Sequence, residues 1–447
     1  MKSKETKEQK KTNLASEDQR KIVKWLKLVI VLCVLILVVE VVFIILKAYQ
    51  NSQNQIYIDT FGSVEKIDDG YLGVGSSDFH YSDFNSYTKE YEKAKLVKYN
   101  EEKEIVFESA YTEADYNSYF YDVAETNDSY IAVGGAQYDK EQLEYNLTEG
   151  IIVEYDKEGK QQKVTRVEVL DDTIFTHIEV VDDGYLVSGQ SILENMTVGV
   201  DDRGGALLIK YDFDGNEVWR ANYGGSKSAI FNDFVVTDDA IYAVGKDATR
   251  YGMIAKYTLD GERVFAKSYE YTDTVGFSSI VQDGDDFVVV GSKTLNIEAS
   301  DQDKITAGLL LKYDSDGNII YERTFDQNNT ARFNSVILDG DDIVVVGHTA
   351  KKDEEESTDQ YNVFRYSGIL AKYDQDGNLV TSQVEEGSRD TYFSDLLSVD
   401  DTYLVVGQTS SSELGGNNKD FVPFFLTYDK EGKALNSETI FEEKVFD

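Results

Sequence analysis

One rhythm runs through most of this chain and limits what it can fold into. A Phe is followed 14 residues later by a Gly that closes an apolar run, seven times over: Phe61/Gly75, Phe120/Gly134, Phe175/Gly189, Phe231/Gly245, Phe277/Gly291, Phe333/Gly347 and Phe393/Gly407. Each pair precedes a further apolar run ending in Tyr, at Tyr99, Tyr155, Tyr211, Tyr257, Tyr313, Tyr373 and Tyr428. A repeat of this size cannot bury its own apolar face, so consecutive units must stack on one another. The expected fold is all-β: a seven-bladed β-propeller of four-stranded antiparallel blades.

Four strands fit each repeat. Strand a begins at the Phe, as in FNDF or FSDL, and an Asp/Gly turn leads to strand b, as in FVVVG or IVVVG. Strand c reads GLLLKYD or ALLIKYD, and a D-x-D-G-N turn leads to strand d. Short β-branched and aromatic runs between Asp-Gly signals are strands rather than helices. Their continuous apolarity suits strands buried on both faces between neighbouring blades.

The spacing from each Gly to the next Tyr varies between 12 and 26 residues, while Phe-to-Gly never varies. Length variation therefore gathers in the b–c connection. In an up-and-down blade all b–c connections emerge on one face, and variable loops on a rigid scaffold are the usual seat of binding. The longest stretches expected there are 76–94 and 348–367, the shortest 246–250.

The alternation of DDGYLVSG or GDDFVVVG with GLLLKYDSDGNIIYE resembles the WD40-like and quinoprotein-dehydrogenase-like (PQQ-like) β-propeller repeats of bacterial surface proteins. The resemblance covers Phe61 to the C-terminus and implies a fold and a surface location. The cofactor pocket of a quinoprotein enzyme is not recognisable in this chain. The turn YDFDGNEVW is also similar to the Asp-box of sialidase-type propellers, but its Asp and Gly touch where the Asp-box separates them by one residue.

Ahead of the repeats, residues 28–46 are almost wholly apolar, roughly 28 Å long as a helix, and follow a Lys-rich stretch. The expected organisation is a basic cytoplasmic tail (1–27), a transmembrane signal anchor (28–46), a short linker (47–55) and the propeller (56–447). The basic flank places the tail in the cytoplasm and the propeller outside, as a single-pass cell-membrane protein. Glu40 interrupts the span and either snorkels to the interface or makes a polar contact with another membrane helix.

The chain has 44 Lys+Arg against 83 Asp+Glu. Residues 1–47 hold ten and five of these, which leaves 34 against 78 in the remainder, about −44. That charge repels phosphate backbones and argues against nucleic acid. It suits basic partners, cations or plain solubility. A single cysteine, Cys33, excludes an intramolecular disulfide.

Three features invite chemistry. The second residue after each Phe reads Ser63, Asp122, His177, Asp233, Ser279, Ser335 and Asp395. On the innermost strand these converge on the channel mouth, where Asp122, His177, Asp233 and Asp395 form a candidate ring for a cation or basic group. The alternative is that they hydrogen-bond backbone and tie blades together. The turns at Asp212–Asn216, Asp314–Asn318 and Asp374–Asn378 suit calcium by their alternate carboxylates, or a hairpin turn by their Asp-Gly pair. His80 and His348 fall in or beside b–c loops, as ligands or as solvated residues. No G-x-S-x-G or H-E-x-x-H motif occurs. The expected function is a non-catalytic interaction module binding an unknown protein or glycan through its b–c face, without a cofactor unless calcium. The rival is a glycan-active or other hydrolytic envelope enzyme.

Overall fold

The computed structural model describes residues 60–80, 90–139, 147–169, 172–192, 204–224, 229–247, 251–269, 275–295, 305–326, 330–353, 357, 363–414 and 421–439. The chain divides into two compact units, Met1–Tyr57 and Ile58–Asp447, and every described residue belongs to the second. Among its described residues are 28 strands, β1 (Thr60–Ile67) to β28 (Ala434–Thr439), and a short 3-10 turn at Ser412–Leu414. Each sequence repeat supplies four consecutive antiparallel strands a to d.

The expectation of seven separate blades is corrected. Five four-stranded blades form, from repeats 1, 2, 3, 4 and 7, and the strands of repeats 5 and 6 join in one eight-stranded sheet. The join is a single parallel bridge, Thr306 in β19 (Thr306–Tyr313) to Thr330 in β21 (Thr330–Asp339). Blades that merely stack stand about 10 Å apart, whereas a ladder needs under 5 Å. At this seam the two strand starts come within ladder reach.

The expected transmembrane helix and single-pass membrane location are corrected as well. Among the described residues no helix is long and apolar enough to cross a membrane. All regular structure there is strand apart from three residues, whereas a spanning helix needs about 20. Residues 28–46, with Glu40, lie outside the described residues.

The Phe-to-Gly constancy has a backbone cause. In every repeat strand a carries a β-bulge just after the Phe: Phe61 pairs with Gly75 but Ser63 with Val74, and the other six repeats do the same. The bulge folds strand a onto strand b, so a Cβ on Gly291 would lie 1.9 Å from the Gly276 carbonyl oxygen. Only glycine fits there. The Phe then plugs the neighbouring repeat. Phe333 covers Gly308 of the repeat before it and meets its own repeat's Tyr373 edge-on, with ring centroids 6.3 Å apart. The apolar middle of strand b is buried in every repeat, and the apolar clusters pair adjacent repeats around the ring. One such cluster joins first to last, with Phe61, Val64 and Tyr99 against Val406 and Phe425.

The four-stranded order puts the a–b and c–d turns at one end and the b–c and d–a connections at the other. The b–c connections run from 247–251 at the shortest to 193–204 and 410–421, equally long, at the other extreme. Two of them are shorter than the sequence suggested, 81–89 and 353–363, because strand b continues past the Gly. The Gly marks the bulge partner rather than the strand's end.

Candidate functional site

The residue just past the bulge of strand a is the candidate ring residue, and the ring divides into distinct clusters. His177 on β9 (Asp172–Val181) bridges two carboxylates, its Nδ1 2.6 Å from Asp122 Oδ2 and its Nε2 3.2 Å from Asp233 Oδ1. Burial opposes the imidazolium, but Asp233 and Asp122 outweigh it and push the His177 pKa up to about 10. The imidazole is therefore held as a cation between the two carboxyl groups. Phe234 meets it edge-on at 4.9 Å.

Each carboxylate also reaches the next repeat's backbone three residues past its Phe. Ile178 N–H donates to Asp122 Oδ2 (3.0 Å), Ile280 N–H to Asp233 Oδ2 (2.9 Å) and Val64 N–H to Asp395 Oδ2 (3.1 Å). Asp395 also accepts from Ser335 (2.7 Å) and Ser63 (3.2 Å). It thereby joins repeats 6, 7 and 1. Burial raises the Asp233 and Asp395 pKa values. Carboxylates that accept from backbone N–H groups and hydroxyls tie adjacent repeats together. Among the described residues no group of three or more His, Cys, Asp or Glu is arranged to hold a metal ion.

Two carboxyls escaped the sequence reading. Glu65 and Glu179 sit two residues further along strand a, where the other repeats carry Ala124, Val235, Val281, Ile337 and Leu397. A Glu in an otherwise apolar column was the available signal. Burial raises Glu65 to about 8 despite the Glu125 N–H bonded to it, with Asp122 and Glu125 adding and Lys157 opposing. Its Oε2 is buried without a partner. Burial also raises Glu179 to about 7, against the pull of His177 and a 3.2 Å bond from Val236 N–H.

The D-x-D-G-N turns are satisfied internally. Asp314 Oδ1 accepts from Asn318 N–H (2.7 Å) and its Oδ2 from the Asn318 amide (2.9 Å), while Gly317 adopts φ +72°. Asp212/Asn216 and Asp374/Asn378 repeat this. Their oxygens are oriented as hairpin acceptors rather than aimed at a common ion. Strand d of the preceding repeat closes over the turn. Phe265 covers Gly317 and Tyr321 covers Gly377, while Lys267 and Arg323 each donate at 2.7 Å to a turn carbonyl, of Asp316 and Asp376.

The two histidine candidates separate. His348 lies inside β22 (Asp342–Lys352), paired with Arg332 and Gly368, rather than in a loop. Burial first, then Arg332, lowers its pKa to about 4, and its Nδ1 has no partner. It is a packed neutral ring against Tyr366 and Tyr392, 5.7 and 5.0 Å away. His80 is the last residue of β2 (Gly70–His80), opposite Glu90, where the b–c connection begins.

No family model matches the chain, and no curated protein matches it. Solved structures similar to it are propellers. The WD40 propeller domain of Doa1 is 11% identical, covering 83% of this chain and 94% of its own, at a TM-score of 0.47. Sqt1 from Chaetomium thermophilum is 10% identical over 84% and 96%, at 0.45. A putative 6-phosphogluconolactonase from Bacteroides fragilis is 12% identical over 84% and 97%, at 0.46. The likeness is one of fold alone.

Proposed function

We propose that this chain is an interaction module that holds a protein or glycan partner against its b–c face. The observation that carries the reading is the division of labour between the two ends. Polar side chains at the inner strands are committed to neighbouring repeats, as Asp395 illustrates, and the c–d turns are satisfied within themselves and held by the preceding repeat, as Asp314 and Lys267 illustrate. The b–c connections alone differ widely in length, from 247–251 to 193–204. A scaffold stiffened at its axis and at one rim leaves the opposite rim free to vary.

The test replaces the b–c connections of the full chain, singly and together, with Gly-Ser linkers of equal length. Binding is read by glycan array and by pull-down of proteins, and folding by thermal melting. Loss of binding with an unchanged melting temperature supports the proposal. Retention of every interaction after all b–c replacements, or loss on altering the c–d turns instead, overturns it.

A hydrolytic reading draws on Glu65 and Glu179, whose pKa values of about 8 and 7 suit general acids at neutral pH. Both already accept a backbone N–H from the next repeat, which favours a bracing role. Turnover of a glycan or ester that disappears in both E65Q and E179Q is the result that would make this reading the better one.

A further inference from the structure

The bulge residue just after the Phe is small in six repeats: Gly62, Thr176, Asn232, Ser278, Asn334 and Ser394. Three of these donate to the next repeat's Phe carbonyl: Thr176 to Phe231, Asn232 to Phe277 and Asn334 to Phe393, at 2.7, 2.6 and 2.7 Å. In repeat 2 the position is Tyr121, too long for that bond and 39% exposed. It is the fourth of the eight residues of β5 (Ser118–Glu125), with Tyr119, nearer the b–c end, 6.3 Å from it on the same strand. Tyr91 at the start of β3 (Glu90–Tyr99) meets Tyr116 edge-on at 5.3 Å, at the same end. Glu92 lies among them: its N–H donates to Asn117 at 3.1 Å, and its charge, after burial, raises the Tyr119 and Tyr121 pKa values.

Acidic side chains predominate at this seam among the described residues. Asp122 follows Tyr121 on the strand, and Glu113 and Asp115 are exposed in the adjoining d–a connection. Of the basic side chains described here, Lys93 is tied to the Ala114 and Tyr116 carbonyls at 2.7 and 3.0 Å, Lys95 is fully buried and Arg166 is paired with Glu149 at 2.7 Å. The seam between repeats 6 and 7 is also aromatic, with Tyr366, Tyr392 and Phe421, but carries the exposed Arg332 in place of a Glu. Tyrosine faces around a carboxylate attract a cation by quadrupole and charge together.

From this geometry we infer that the repeat 1–2 seam of the b–c face docks an arginine or lysine side chain of a basic protein segment, with Tyr119 and Tyr121 as its aromatic walls and Glu92 as its counter-charge. The inference deepens the loop-face reading and rests on it. Neutral glycans lack the charge that Glu92 would meet, and acidic ones would be repelled by it.

The test uses the full chain and a fluorescein-labelled decapeptide of four Arg with Gly and Ser spacers, followed by anisotropy in 150 mM salt. Y121A and E92Q are each expected to weaken binding about tenfold or more. Y121F, which keeps the ring, retains binding and serves as the reference if Y121A folds poorly. Y392A and E158Q, at the other aromatic seam and the opposite end, leave it unchanged. Equal binding by wild type, Y121A and E92Q, an equal loss in E158Q, or no binding to wild type overturns the inference. If the b–c replacements still abolish partner binding in that event, this seam falls and the loop-face reading stands.

Discussion

Glu65→Gln isolates the proton stored at the inner strands. The Glu65 carboxyl has a folded pKa of about 8 against 4.5 when free. Folding therefore takes up a proton between those values, and stability falls as pH rises from 4.5 to 8, then levels. Each pH unit in that window is worth about 1.4 kcal/mol, so the whole shift amounts to about 3 to 5 kcal/mol. Gln keeps the shape and the acceptor for the Glu125 N–H but cannot ionise. It also leaves its amide in the place of the unpartnered Oε2, a penalty of about 1 to 3 kcal/mol that does not vary with pH. The two effects separate on a pH axis. Urea midpoints for wild type and E65Q at pH 5, 6, 7 and 8 should converge or favour wild type in acid, then cross in favour of E65Q. Parallel profiles would refute a buried protonated carboxyl at this position.

His177 gives the opposite charge but the same direction. Its raised pKa means that its stabilisation is complete below about 6.5 and disappears as pH rises through about 10; an NMR titration of its ring protons should show no midpoint below pH 9. H177A strands Asp122 and Asp233 beside each other and should cost about 3 to 5 kcal/mol at pH 7 by chemical denaturation. Gly291→Ala must break its bulge and should cost about 3 kcal/mol or more, whereas Gly284→Ala, at φ +63° with nothing within 4 Å, should cost about 1 to 2 in the same assay. Calcium in place of chelator should leave the melting temperature unmoved, because both oxygens of Asp314 and its counterparts already accept from the turn Asn; a rise of several degrees would support the cation reading.

The propeller was legible because its cause repeats. Phe333 and Gly347 stand 14 apart since the bulge between them brings two backbones within reach of one missing Cβ, and that constraint admits no substitute. The number of separate sheets was not legible. It turns on one backbone bridge, Thr306 to Thr330, and a backbone bridge carries no side-chain signature. His348 was misplaced for a related reason: Gly347 reads as a strand end, yet β22 runs five residues beyond it. The channel carboxylates were found from their position, but their role lay in backbone N–H groups that carry no side-chain signature. Ile178, Ile280 and Val64 give no hint that Asp122, Asp233 and Asp395 aim at their amides.

The seam between repeats 7 and 1 is where a ring assembled from consecutive repeats is most exposed to opening. Both flanking sheets are complete in themselves, β1 to β4 and β25 to β28, so among the described residues no exchanged strand locks them. Closure falls to the cluster of Phe61, Tyr99 and Phe425 and to Asp395. Asp395→Ala removes acceptors from Val64 N–H, Ser63 and Ser335 at once. A bond to a charged group is worth about 1.5 to 3 kcal/mol, and one buried N–H left unpaired adds a similar sum, so a loss of about 3 to 5 kcal/mol is expected. Asp122→Ala cuts an internal seam that chain continuity still holds. The two variants therefore differ in where they loosen. Hydrogen exchange in D395A should accelerate most in β1 and β25 (Thr391–Val399), while D122A should accelerate β5 and β9. Uniform acceleration around the ring in D395A would mean that the closing seam is no weaker than the rest, and that apolar packing alone holds the ends together.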